Sequence, residues 1–293
     1  MIKVCRVAGI LAIVASNLRL REAAAFGQAA DARKDEIRIL LVTQALEYQH
    51  DTAKRKGEAP SLVEQTVTEL GRSSGLFRVE CTQDVAKDFT RERLDRSDIV
   101  MFYTTGELPI QKEVLDYFLN DWLKQAGRGF LGVHCATDTL KKHRPYWEMI
   151  GGTFDGHGVW GHAGPPFTVT VHEPEHPACK PWGKEFEIDD EIYVFRNWQP
   201  EKVRVLMSVN MAKTEKKMPR HMPIAWCRDY GKGRVFYLTL GHEQRTWADQ
   251  KHKDSLLGAI RWLRGLEPGN SAPNPELSAQ EEAKAKAACE PKK

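Results

Sequence analysis

The sequence predicts an α/β fold built on a mostly parallel sheet that ends in a C-terminal antiparallel hairpin. Two observations predict it. Over the first half, short, nearly continuous apolar runs alternate with amphipathic helical stretches, the pattern of right-handed βαβ crossovers. Over the second half the apolar spacing changes to period two, and a Gly231-Lys232-Gly233 turn separates two strand-like runs.

Residues 37–43 (IRILLVT) read as a central strand buried on both faces. Residues 60–71 follow as a helix, with Leu62, Val63, Thr66, Val67 and Leu70 on one stripe, Pro60 suiting its start and Gly71 its end. Residues 76–81 and 98–103 are the next strands. Residues 111–125 form a helix with Val114, Leu115, Phe118, Leu119, Trp122 and Leu123 on one face, and residues 130–133 are the fourth strand. Residues 167–172 alternate as a half-exposed strand; 203–209, 223–228 and 234–240 are further strands, and 254–263 is a closing helix. From Glu267 the chain is Pro, Ser, Ala, Glu and Lys, expected to be a disordered or weakly helical, solvated tail over 267–293.

With 293 residues the chain holds one large α/β domain or two small ones. The net charge is +3 and the Lys and Arg are scattered, which leaves no electrostatic case for nucleic acid. Residues 1–30 are expected to be a signal peptide of an exported, periplasmic or extracellular protein. Lys3 and Arg6 precede an apolar run at 7–15 that is too short to span a bilayer, and small-residue cleavage sites follow. Cys5 precedes that run and so is not placed as a lipid anchor, and no other stretch is a candidate membrane span. Beyond the leader five cysteines remain, an odd number without a C-x-x-C pair. That argues against a disulfide framework and leaves one bridge open.

The candidate chemistry gathers at strand ends. The segment Gly132-Val-His-Cys-Ala136 has the spacing of a nucleophile elbow, with His134 at the apex and Cys135 one place late. An imidazole there suits a metal ligand or an acid–base group; the alternative is a strand-end histidine bonded to backbone. Tyr48-Gln-His-Asp51 follows the first strand, Thr104-Thr-Gly-Glu107 the third, and His242-Glu243 the last. Carboxyl ends of parallel strands share one edge, so these groups can converge. His157 and His162 lie in a Gly-rich segment able to fold over that edge, and Asp189-Asp-Glu191 with Tyr193 interrupts an apolar run. Histidines with one carboxylate compose an open zinc-type site of three protein ligands and water. His143, His172, His176, His221 and His252 are assigned to surface or hydrogen-bonded positions, and Asp189 and Asp190 to solvated or capping ones. Trp147, Trp160, Trp198 and Trp247 near these loops suit a sugar ring or, alternatively, the core.

The chain resembles ThuA-like proteins, named for trehalose utilisation. The carrying segments are Gly129–Ala136 (GFLGVHCA), 146–154 (YWEMIGGTF), 166–171 (PFTVTV) with 173–177 (EPEHP), 186–193 (FEIDDEIY) and 230–242 (YGKGRVFYLTLGH). The resemblance runs over about 36–266. It implies a flavodoxin-like three-layer sandwich like that of class I glutamine amidotransferases, with His134 in place of their thiol. The family's Gly-Gly-His-Asp is kept here only as His50-Asp51. It further implies a role in carbohydrate catabolism on a keto-disaccharide or glycoside. The expected site has His134, His162, Glu191 and His242 holding a divalent metal, zinc first, or forming a proton-transfer network. His134 and Glu191 are the catalytic groups, Trp160 and Tyr193 bind substrate, and His50 and Asp51 bind substrate or complete the shell. No nucleotide cofactor is expected. The competing class is a non-catalytic carbohydrate-binding or scaffold protein.

Overall fold

The computed structural model describes residues 36–162 and 164–291; the expected signal segment, residues 1–30, lies outside them. β1 (Ile37–Val42) sends Ile37, Ile39 and Leu41 into one hydrophobic cluster and Leu40 and Val42 into another. A strand with a core on each face has no polar side to show, which is why Ile39–Val42 is unbroken apolar; Arg38, at the strand's start, instead pairs with Asp98 at 3.0 Å. α1 (Leu62–Ser74) starts at a capping box in which Ser61 and Glu64 satisfy each other's backbone N–H. It ends at Gly75, with φ +63°, four residues past the expected stop. Gly71 is instead a packing glycine: a Cβ there would lie 2.4 Å from the Phe77 carbonyl oxygen.

β2 (Phe77–Thr82), α2 (Val85–Asp88), α3 (Arg91–Arg96) and β3 (Ile99–Phe102) follow. The helix expected over 111–125 is α4 (Lys112–Tyr117) continued by a π-helical turn, Phe118–Trp122, whose Phe118, Leu119 and Trp122 are buried. β4 (Gly129–Val133) passes directly into a 3-10 turn, His134–Asp138, and then α5 (Arg144–Ile150). β5 (Thr153–Phe154), β6 (Phe167–Val171), β7 (Glu185–Ile188), β8 (Phe195–Arg196), β9 (Arg204–Val209), β10 (Pro223–Tyr230) and β11 (Gly233–Leu238) complete the strands. α6 (Gln244–Ala248) and α7 (Gln250–Leu263) follow, and α8 (Pro275–Cys289) occupies the tail. α8 has Pro in its first turn, where the missing N–H costs nothing, and Ala285 buried. Asn274 anchors its start, accepting from the Val205 N–H at 2.8 Å and donating to the Val205 carbonyl at 3.0 Å.

The main sheet has nine strands in the order β2-β1-β3-β4-β11-β10-β9-β6-β7. β2 through β11 are parallel neighbours; from β11 to β10 onward every pairing is antiparallel. The expected hairpin is β10–β11, closed by Gly231 at φ +64°. β5 and β8 form a separate antiparallel pair. Helices cover both faces. α1 and α7 contribute Val63, Val67, Leu256 and Ile260 to the first cluster; α4 and α5 contribute Val114, Leu115, Met149 and Ile150 to the second. This is the mixed α/β sandwich the sequence predicts. No helix among the described residues is long and apolar enough to cross a membrane.

One consequence of register positions the chemistry. Val42 is abreast of Phe102, Phe102 of Gly132, and Val133 of Leu238. Four parallel strands therefore finish at one level, and their following loops open onto one edge.

Candidate functional site

His134 is the first residue past β4 and has φ +48°, a left-handed conformation that costs a non-glycine residue about 1 kcal/mol or more. That turn is the elbow read from the sequence. It directs the imidazole over the sheet edge, where the ring is fully buried. Nδ1 lies 2.8 Å from the Thr239 carbonyl oxygen. A carbonyl only accepts, so Nδ1 donates its N–H there and Nε2 is the nitrogen left facing the site. The backbone-bonded and ligand readings are therefore compatible: the backbone bond orients the ring so that Nε2 faces the site.

Around that Nε2 stand Tyr193 Oη at 2.9 Å, His50 Nε2 at 3.1 Å and Glu191 Oε2 at 3.4 Å. His242 Nε2 is 3.9 Å from the same Glu191 oxygen, while its Nδ1 donates to Glu243 Oε1 at 3.1 Å. His50, His134, Glu191 and His242 thus each aim one ligand atom at a common point, all within 4.8 Å of one another. Metal–nitrogen bonds of ~2.0–2.1 Å place neighbouring ligand atoms about 3.3 Å apart in a tetrahedral shell. The observed spacings bracket that value, so the four residues fit a divalent cation.

The electrostatics agree with that use. Burial, with the neighbouring imidazoles adding to it, lowers His50 to about 2, so its ring is neutral and able to ligate. Burial alone would raise the Glu191 carboxyl; the imidazoles around it, His134 first and then His242 and His157, outweigh burial and hold Glu191 below the ordinary range. Burial raises Tyr193 well above the usual phenol, so it stays an O–H donor. Burial likewise raises the Cys135 thiol, which makes a thiolate nucleophile there untenable.

The expected residues are distributed as follows. His134, Glu191 and His242 come together. His50, expected to bind substrate or to complete the shell, is in the same group, and His162 is outside it: His162 Nδ1 meets the other Glu191 oxygen, Oε1, at 3.0 Å. Tyr193 touches His134. Asp51 is 75% exposed, pairs with Lys54 at 2.6 Å and lines an open cleft of about 420 Å³ with Tyr48, Thr52, His242 and Arg245. Trp160 does not line that cleft; at 3% exposure it belongs to the hydrophobic cluster, because a large apolar ring loses more by facing water than a loop loses by turning it inward.

Three further groups complete the arrangement. Asp190 is a buried cap: its carboxylate accepts from the N–H groups of Glu191 (2.7 Å), Gly241 (2.8 Å) and His242 (3.0 Å) and from Thr246 Oγ1 (2.7 Å). It ties the segment carrying Glu191 to the loop carrying His242. The paired acids Asp189-Asp190 signal a cap without telling which one turns inward. Tyr48 packs edge-on to His50 with ring centroids 4.8 Å apart and stacks on His162 at 6.3 Å. His157 Nδ1 lies 3.4 Å from Glu191 Oε1.

No curated protein matches the chain. A ThuA-like protein from Bacteroides uniformis is 22% identical, with TM-score 0.61, covering 86% of this chain and 100% of its own. A ThuA-like protein from Parabacteroides merdae is 14% identical, with TM-score 0.59, covering 82% and 98%. A cytoplasmic protein of Salmonella typhimurium is 12% identical, with TM-score 0.52, covering 78% and 99%. These likenesses establish the fold. The sequence profile of the ThuA family, described as trehalose utilisation, matches residues 38–263, which include the elbow and His50, His134, Glu191 and His242. The chain belongs to the ThuA family.

Proposed function

We propose that the protein is an exported enzyme of carbohydrate catabolism that hydrolyses or isomerises a keto-disaccharide or glycoside at the His/Glu site. A divalent metal, zinc by preference, is held by His50, His134, Glu191 and His242. The observation that carries the reading is the convergence of three imidazoles and one ionised carboxylate, from four separate loops, on one point. The family's description supports the sugar class, and Lys3, Arg6 and the apolar run at 7–15 support export.

A bound cation at this position supplies Lewis acidity for a sugar carbonyl or lowers the pKa of a water. The rest falls to the chain's own groups. Without a cation, Glu191, kept ionised, is the candidate base for a proton α to a keto group. The Tyr193 O–H, held neutral by burial, donates to an oxygen at the Nε2 side of His134. Tyr48 and Asp51 at the mouth offer a ring face and a hydroxyl acceptor.

The test is turnover of keto-disaccharides by metal-loaded protein, compared with His242→Ala. His242 lies in a partly exposed loop, so its loss leaves the core intact. Metal affinity and turnover are both expected to fall at least about tenfold. Unchanged turnover in His242→Ala defeats the catalytic reading. Sugar binding without product by the loaded wild type returns the protein to the carbohydrate-binding class.

A further inference from the structure

The geometry points to a second divalent-cation position beside the first, formed by His157 Nδ1, His162 Nδ1 and Glu191 Oε1, so that Glu191 bridges a two-metal centre. This inference rests on the metal reading of the proposed function. Glu191 divides its oxygens cleanly. Oε2 faces His134 at 3.4 Å and His242 at 3.9 Å, whereas Oε1 faces His162 at 3.0 Å and His157 at 3.4 Å. The three outer ligand atoms lie within 4.8 Å of one another, as the inner four do. A carboxylate with one oxygen toward each of two imidazole groups is the donor set of a bridged pair, whose ions sit ~3.5–4 Å apart.

The outer pair is delivered by the Gly-rich segment, where Gly156 (φ +104°) and Gly161 (φ +63°) take left-handed conformations that turn the chain over the sheet edge. His157 also meets the Ile192 carbonyl, but at 3.4 Å, a long contact that competes weakly for Nδ1. The two positions differ in access. His134 is sealed, while the His162 side chain is 72% exposed. Three protein ligands on the open side leave room for a water or a sugar oxygen. The outer cation is therefore the exchangeable one, in contact with substrate.

The alternative is that His157 and His162 merely hydrogen-bond Glu191 and latch the loop. Metal-free full-length protein is titrated with Mn²⁺, and bound metal and the electron paramagnetic resonance spectrum are measured for wild type, His162→Ala and His157→Ala. Two ions per chain with an exchange-coupled spectrum are expected in the wild type. Each variant should retain one ion with an uncoupled six-line spectrum. One ion in the wild type, or two in both variants, overturns the bridged pair and leaves the inner site standing. No bound ion overturns the inner site as well.

Discussion

Asp190→Asn isolates the device that holds the site together. The asparagine oxygen can keep the Glu191 and His242 N–H groups, and the Thr246 hydroxyl can reverse to accept from the new amide. The Gly241 N–H, now facing an amide donor, cannot be satisfied. Orphaning one buried N–H costs about 1–3 kcal/mol, and turning the remaining bonds from charge-assisted to neutral adds about 1 kcal/mol. The sum is about 3 kcal/mol. For a domain of this size that lowers Tm by about 6–12 °C. The same change frees the His242 loop, so metal affinity should fall about 10–100-fold, as for other groups that orient a ligand. Asp189→Asn is the control. Asp189 is half-exposed and pairs with Arg245 at 2.6 Å on the surface, and such pairs contribute about 0–1 kcal/mol. Calorimetry and Zn²⁺ titration of the two variants decide the matter. An Asp190→Asn protein with wild-type Tm and affinity, or an Asp189→Asn protein with the larger loss, refutes the role given to Asp190.

Other expectations concern the frame. Burial lowers His176 to about 4 and His221 and His252 to about 3. Below pH 6.5 the unfolded chain takes up protons at these rings that the folded chain refuses, so stability is complete above pH 6.5 and is lost as pH falls. Three such groups give a slope of as much as about 4 kcal/mol per pH unit between pH 6 and 4, read by urea unfolding at stepped pH. A flat profile down to pH 5 contradicts their burial as neutral rings. Ser61→Ala removes one half of the α1 capping box and should cost about 1 kcal/mol in urea unfolding with metal binding unchanged. Iodoacetamide at pH 8 should modify the exposed Cys289 readily and leave the buried Cys135, Cys179 and Cys227 intact, with turnover preserved; peptide mass mapping reads the outcome, and rapid labelling of Cys135 with loss of turnover would revive a thiol mechanism.

The parts of the molecule legible in the sequence are those where one physical requirement acts on a run of residues. Burial on both faces makes Ile39–Val42 an unbroken apolar run, and burial on one makes 167–171 alternate, so each strand announces its place. The His134 elbow was legible because a tight turn after a buried strand needs small neighbours, and Gly132 and Ala136 supply them. Where two residues carry the same signal, a tertiary contact decides. Gly71 and Gly75 both look like a helix stop, but Phe77 occupies the space a Gly71 side chain would need. His50 and His162 are both loop histidines. The sequence cannot tell that the former reaches 3.1 Å from His134 while the latter takes the far oxygen of Glu191, because loop conformation has no period to read. The tail's Ala, Glu and Lys favour a helix, yet docking depends on Asn274 meeting β9, a contact between distant parts of the chain.

One point in space carries the proposed chemistry, the place where His50, His134, Glu191 and His242 aim their ligand atoms. Anomalous diffraction from crystals grown with Zn²⁺, collected at the zinc edge, examines that point directly. A peak ~2.0–2.2 Å from both Nε2 of His134 and Oε2 of Glu191 is the expected result. A zinc-soaked crystal with no anomalous density there, and His134 Nε2 still bonded only to Tyr193 and His50, would contradict it.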